Sequence, residues 1–235
     1  MAYTVSTLAG ICTLLGAVMV LALGVPRPPS LAAVLGLAAG IMVGVTLGDL
    51  LPAAMNFGRL ELVLTGLLCG ILALALLDKG LKVLIDPSRP GFFKTGVLVA
   101  LGIALHDLPE GMAIAAGFAS TAGLGLVMAL AIGLHNIPEG MATAAPLRAA
   151  GVAPLKILFL ATVLSLITPL GTLAGFGLIE TTDLSLCILS ALAAGAMLYI
   201  SLVELIPRSL TLCTRPAAAG MAAGMVLVWC AQLFF

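Results

Sequence analysis

Eight apolar stretches, most of them near twenty residues or longer, follow one another along this sequence with only short polar breaks between them. A helix needs about 20 predominantly apolar residues to cross the hydrocarbon of a bilayer. Hydrophobic residues make up 62% of the chain and charged residues 9%, where a soluble domain carries roughly 25% charge. A water-soluble core of this length has nowhere to hide so much apolar surface, so the surrounding solvent is lipid. The expected fold is all-α: one polytopic transmembrane domain over residues 1–235 with eight membrane-crossing helices. They are placed near 4–24, 31–56, 60–78, 95–118, 123–147, 155–178, 185–210 and 216–235. No basic segment precedes the first apolar run and no small-residue cleavage signal closes it, so residues 4–24 are expected to be a retained span.

Proline and glycine clusters mark the breaks, as in Pro26-Arg27-Pro28-Pro29 and Asp86-Pro87-Ser88-Arg89-Pro90-Gly91, and a further turn is expected at Thr181-Thr182-Asp183. Residues 79–94 are the longest expected loop, and Phe92-Phe93 within it are a candidate interface. Lys and Arg are distributed unevenly. Arg27, Lys79, Lys82, Arg89, Lys94, Arg148, Lys156, Arg208 and Arg215, nine of the ten, fall after the first, third, fifth or seventh helix; Arg59 stands alone on the other side. Cytoplasmic loops are enriched in Lys and Arg, so those breaks are expected in the cytoplasm and both termini outside. Glu61, Glu180 and Asp183 then fall in outer loops. Trp229, near the outer end of the last helix, is an expected interfacial anchor.

Glycines at 36, 40, 44 and 48, and pairs at 66/70, 171/175 and 220/224, recur every four residues. Small residues at this spacing let helix backbones approach closely in lipid. The five cysteines (12, 69, 187, 213 and 230) are scattered, with no Cys-x-x-Cys pair, which argues against both a disulfide framework and a thiolate metal site. Formal net charge is zero, so nothing points to a nucleic-acid partner.

One segment occurs twice. Residues 38–52 read AAGIMVGVTLGDLLP and residues 193–207 read AAGAMLYISLVELIP. They share Ala-Ala-Gly-x-Met, then Thr/Ser-Leu-x-Asp/Glu-Leu-x-Pro, and fall on helices expected to run in opposite directions. The pattern implies an inverted repeat, helices one to three against six to eight around a central pair, an arrangement of alternating-access carriers. Asp49 and Glu204, the acids of the two copies, are candidates for the two mouths of a path, Asp49 outside and Glu204 towards the cytoplasm.

The central pair holds the chemistry. His106-Asp107-Leu108-Pro109-Glu110-Gly111 and His135-Asn136-Ile137-Pro138-Glu139-Gly140 contain the only two histidines and lie mid-span. Residues four apart share a helix face, so His106 stacks over Glu110 and His135 over Glu139. The four can converge on one ion where the helices cross, and Asp107 and Asn136 can form an adjoining position. Pro109 and Pro138 free the carbonyls of Leu105 and Leu134. A charged side chain at the bilayer centre costs about 2.5–3.5 kcal/mol, so Asp107, Glu110 and Glu139 together cost on the order of 8–10 kcal/mol. Interhelical hydrogen bonds of about 0.6 kcal/mol each do not offset that; a divalent cation, protons or water must. Imidazole and carboxylate without thiolate suit Zn²⁺, Fe²⁺, Mn²⁺, Co²⁺ or Cd²⁺, and two imidazoles argue against Mg²⁺ and Ca²⁺. The leading expectation is a carrier of divalent transition metals. A proton-coupled carrier of organic substrates is an alternative. An intramembrane metalloprotease is a poorer one, since neither island reads His-Glu-x-x-His.

The paired His-Asp/Asn-x-Pro-Glu-Gly motifs, the eight spans and the Asp-x-x-Pro that closes the second helix resemble the ZIP (Zrt/Irt-like) divalent metal transporters, especially their short bacterial branch. The resemblance covers essentially the whole chain. It implies a homodimer in the cell (inner) membrane that moves Zn²⁺ and related ions into the cytoplasm as transported substrate, with no prosthetic group. It implies coordination by His106, Glu110, His135 and Glu139, with Asp107 and Asn136 alongside. It also implies a shift of helices one, four, five and six against the rest. The chain departs from the family in two places. Asp107 stands where members often have Asn, and Thr168 precedes Pro169-Leu170-Gly171 where many carry a glutamate. The resemblance therefore leaves open whether one metal or two are held.

Overall fold

The computed structural model describes residues 1–177 and 183–233, and among these every regular element is helical. The helices are α1 (Ala2–Leu23), α2 (Pro28–Phe57), α3 (Leu60–Leu84), α4 (Gly91–Ser120), α5 (Ala122–Ala149), α6 (Pro154–Gly177, interrupted at Leu166), α7 (183–212) and α8 (Thr214–Gln232). The first seven are long and apolar enough to cross a membrane, α7 over Leu186–Leu212. α8 is rich in alanine and glycine and carries Arg215 and Gln232, and it does not reach that apolarity. The turn expected at Thr181-Thr182, with Glu180, lies outside the described residues.

Local chemistry sets the ends. Pro28 and Pro154 occupy first helical positions, where a missing N–H costs nothing. The Thr121 hydroxyl caps α5 by accepting the Leu124 N–H at 3.1 Å. Gly24, with φ +86°, follows the last residue of α1 at a positive φ that glycine adopts without a side-chain clash. Two boundaries depart from the sequence-based placement: α3 continues six residues past 78, to Leu84, and α4 begins four residues before 95, at Gly91, so that residues 85–90 alone form the connection. Asp78 and Lys82 pair across one turn at 2.8 Å, which keeps the polar end helical. Phe92 and Phe93 belong to α4, not to a loop. Both are partly buried against the core, with Arg208 over Phe92 at 5.0 Å and Arg89 over Phe93 at 4.8 Å.

Glycine decides which helices touch. A Cβ on Gly140 of α5 would strike the Thr13 backbone of α1, and one on Gly16 the Ile137 backbone of α5. Gly111 of α4 meets Thr168 of α6, and Gly171 meets Leu108 in return. The same reciprocity joins Gly70 and Gly195 across α3 and α7, and Gly40 and Gly224 across α2 and α8. These close approaches sort the helices into two groups. One contains α1, α4, α5 and α6; the other pairs α2 with α8 and α3 with α7.

The two copies of the repeated segment share an irregularity. Thr46–Leu50 of α2 and Ile200–Leu205 of α7 are π-helical turns, each ending just before the proline of its copy by two residues or fewer. The Thr46 hydroxyl donates to the Met42 carbonyl and the Ser201 hydroxyl to the Met197 carbonyl, both at 2.7 Å. Equivalent residues therefore make equivalent bonds.

The glycine contacts predict unequal tolerance. Gly140→Val should destabilise the protein by about 1–3 kcal/mol, the usual cost of overpacking. Gly80→Ala, where an added Cβ meets nothing within 4 Å, should be neutral or stabilise by about 0.4–1 kcal/mol. Thermal unfolding of both variants in detergent measures the difference.

Candidate metal centre

Both polar islands lie on uninterrupted helix: α4 runs through Pro109 and α5 through Pro138. The helices pack side by side, and all six residues singled out in the islands are buried. The pairing between them runs across the helices rather than along them. His106 Nε2 lies 3.3 Å from Glu139 Oε2, and His135 Nε2 lies 3.2 Å from Glu110 Oε2. Each histidine thus meets the glutamate of the other motif, whereas the four-residue spacing alone had placed it over its own. An imidazole lone pair and a carboxylate oxygen at this distance repel unless a proton or a cation lies between them.

Asp107 joins the first pair instead of a separate position. Its Oδ1 lies 3.5 Å from His106 Nε2, and ligand atoms of His106, Asp107 and Glu139 all lie within 4.8 Å of one another. Around tetrahedral zinc, donors at about 2.0–2.1 Å from the metal sit about 3.3–3.4 Å apart, close to the 3.3 Å and 3.5 Å that separate His106 Nε2 from Glu139 and Asp107. Asn136 is turned elsewhere: its Nδ2 donates to the Ala9 carbonyl of α1 at 3.1 Å. Thr168 of α6 approaches Asp107 Oδ2 only at 3.5 Å, and Thr172 donates to the Gly111 carbonyl at 2.9 Å.

Five polar atoms in the islands are buried without a hydrogen-bond partner: His106 Nδ1, Asp107 Oδ1, Glu110 Oε1, Asn136 Oδ1 and Glu139 Oε1. Buried polar atoms are normally paired, and four of these five are oxygens. Among the described residues no cysteine joins the cluster.

A cavity of about 500 Å³ leads to it, lined by Asp49 on α2, Glu110 and Ala113 on α4, His135 on α5, and Gln232 on α8. Asp49 therefore stands in the approach, where its Oδ1 accepts from Gln232 Nε2 at 3.0 Å. Glu204, proposed for the other mouth, is not a free carboxylate. It is buried, accepts from Lys94 Nζ at 2.8 Å and from the Thr95 hydroxyl at 2.6 Å. Lys94 also reaches Asp78 at 2.6 Å, and the Tyr199 hydroxyl reaches the other Asp78 oxygen at 3.2 Å. Lys94 and Asp78 were unremarkable in the sequence, one a loop cation and the other a helix-end acid. The Asp78/Lys82 spacing of four was the only signal that this end is structured.

Two buried histidine–glutamate contacts between adjacent apolar helices, reached by a cavity with Asp49 in its wall, form the polar centre of a multi-helix membrane protein. The sequence matches the family described as ZIP Zinc transporter over residues 91–228, and the chain belongs to that family. It is 34% identical to the zinc transporter ZupT of Corynebacterium glutamicum, covering 100% of this chain and 98% of that protein. It is 32% identical to the ZupT proteins of Corynebacterium aurimucosum, over 97% of this chain and 94% of the relative, and of Chlorobaculum parvum, over 99% and 96%.

The crossed pairing is measurable. In metal-free detergent solution, a double-mutant cycle of His106→Ala and Glu139→Ala should show about 1–3 kcal/mol of coupling, as expected for contacting residues. The same cycle for His106 and Glu110 should show a smaller value. The reverse order would place the pairs within the helices.

Proposed function

We propose that this protein carries Zn²⁺ across the cytoplasmic membrane into the cell, binding it between α4 and α5. The observation that supports this best is the buried trio of His106, Asp107 and Glu139, whose donor atoms lie within 4.8 Å of one another and which keep unpartnered oxygens on both carboxylates. His135 and Glu110, which face the cavity, receive the ion first and pass it on. Asp49 concentrates cations at the mouth of the cavity, and the Asn136 carbonyl oxygen offers one further neutral donor. The same nitrogen and oxygen donors accommodate Fe²⁺, Mn²⁺, Co²⁺ and Cd²⁺. With Thr168 supplying only a hydroxyl beside Asp107, a single tightly held ion is favoured.

Inward direction follows the family resemblance, and the lysine and arginine asymmetry supports an orientation with the Lys94 end of α4 in the cytoplasm, the Asp49 cavity outside, and both termini outside. α8 is counted as the eighth crossing because it lies along α2 through reciprocal glycine contacts. Matching π turns in α2 and α7 support an inverted repeat. The two packed groups supply the bodies that alternating access needs: α1, α4, α5 and α6 carry the ion, and α2, α3, α7 and α8 stay put. Two copies of the chain assembling as a homodimer fits the family resemblance. Where protons hold the histidine–glutamate contacts together before loading, metal binding displaces them, and affinity falls as pH is lowered.

Purified protein in liposomes tests this reading. Glu139→Ala should abolish Zn²⁺ uptake while leaving folded protein in the membrane; uptake at the unmodified rate would remove this centre from the mechanism. Asp49→Asn should raise the apparent KM more than it lowers the maximal rate, since the carboxylate acts by electrostatic attraction. A pure loss of rate would contradict the role given to Asp49.

A further inference from the structure

The two helix groups are fastened to each other by polar contacts at one end only. Among the described residues, each side-chain hydrogen bond that crosses from the α1–α4–α5–α6 group to the other group involves Lys94 or Thr95. Lys94 Nζ donates to Asp78 of α3 at 2.6 Å and to Glu204 of α7 at 2.8 Å. The Thr95 hydroxyl donates to Glu204 at 2.6 Å and accepts from Arg208 Nε at 3.3 Å. Arg208 also covers Phe92 of α4 at 5.0 Å. At the other end of α4, where the cavity opens, no such contact joins the groups among the described residues.

The seam above this cluster is closed by packing. Leu98, Val99 and Ile103 of α4 are fully buried, as are Ile200, Ser201 and Leu205 of α7. The Ile200 side chain fills the notch at Gly102, one turn from His106. Eleven residues separate Thr95 from His106, about 16 Å along the helix. An ion at His106 is therefore walled off from the Lys94 end while the other end is open.

We propose that Lys94, Thr95, Asp78, Glu204 and Arg208 form a charge clamp that holds the cytoplasmic mouth of the metal path shut and must part for the ion to leave. The proposal rests on the transport reading above. The chemistry suits a reversible fastening. In the closed seam the charges are largely desolvated: the Lys94 side chain is 19% exposed, Glu204 9% and Asp78 5%. Desolvated pairs attract strongly, but each ion has given up hydration to form them. When the seam opens, water enters and returns that hydration, so the clamp parts and re-forms without a large net change. The clamp also has no twin. The position in α5 that corresponds to Lys94, counted by the spacing of the two histidines, is Gly123. The fastening is thus one-sided, and the empty carrier rests with its outer cavity open.

The test uses the full chain in liposomes with its five cysteines replaced by serine and one reporter cysteine added. Ser201→Cys reports on the inner seam, and Ala53→Cys, in the wall of the cavity, reports on the outer side. A membrane-impermeant, charged thiol reagent is applied from the corresponding face. Lys94→Met should speed Ser201→Cys labelling at least fivefold and slow Ala53→Cys labelling, and Glu204→Gln should do the same. Unchanged rates in both variants would overturn the clamp, and so would faster labelling at both reporters, which marks general loosening. Zn²⁺ uptake by the same vesicles, with and without Glu139→Ala, keeps the two readings apart. Glu139-dependent uptake with unchanged labelling refutes the clamp alone, while reciprocal labelling without Glu139-dependent uptake upholds the clamp and refutes the metal path through Glu139.

Discussion

Carboxylates with too few protein cations to balance them, held in a dry and apolar place, set the terms for this molecule. Asp107, Glu110 and Glu139 are buried mid-helix with two imidazoles and no lysine or arginine among their contacts. Two crossed histidine–glutamate contacts hold the centre together, and they do so only with a proton or a metal ion in the gap. Several of its oxygens have no hydrogen-bond partner among the described residues.

Glycine makes that centre possible. α1 lies against α5, and α6 against α4, so closely that backbone meets backbone at Gly140, Gly16, Gly111 and Gly171. The close packing brings Ala9 within reach of Asn136 and Thr168 within reach of Asp107. The placement of Ala9 and Thr168 beside the islands thus follows from helix spacing, and the glycine that ends each island, Gly111 or Gly140, is what permits that spacing.

Much of this was legible in the sequence. Apolar runs and proline breaks located most helix ends to within about four residues, the end of α3 excepted, because in lipid the backbone has to satisfy itself and helix is the simplest way. The islands were legible as rare polar residues in apolar helix, and the structure brings His106 to Glu139 and Asp107, and His135 to Glu110. The crossed pairing was not legible: spacing along one helix says which residues share its face, not which face meets its neighbour's. Asp107 and Asn136 looked alike by position, yet one turns to His106 and the other to the backbone of α1. Lys94 was lost for another reason. Its partners Asp78 and Glu204 lie on two other helices, 16 and 110 residues away, and charge near a helix end reads first as solvated surface.

The π turns of α2 and α7 carry a consequence of their own. Each fits one extra residue into a widened turn, so the helix beyond it keeps nearly the face it would have without that residue. Deleting a single residue there would let the turn tighten to α-helix and leave Pro52 or Pro207 and the adjoining loop nearly in place, whereas the same deletion in the regular parts of α2 or α7 would swing the remaining rod by about 100°. Changes of length in these two helices should therefore be tolerated best at the acid-bearing turns.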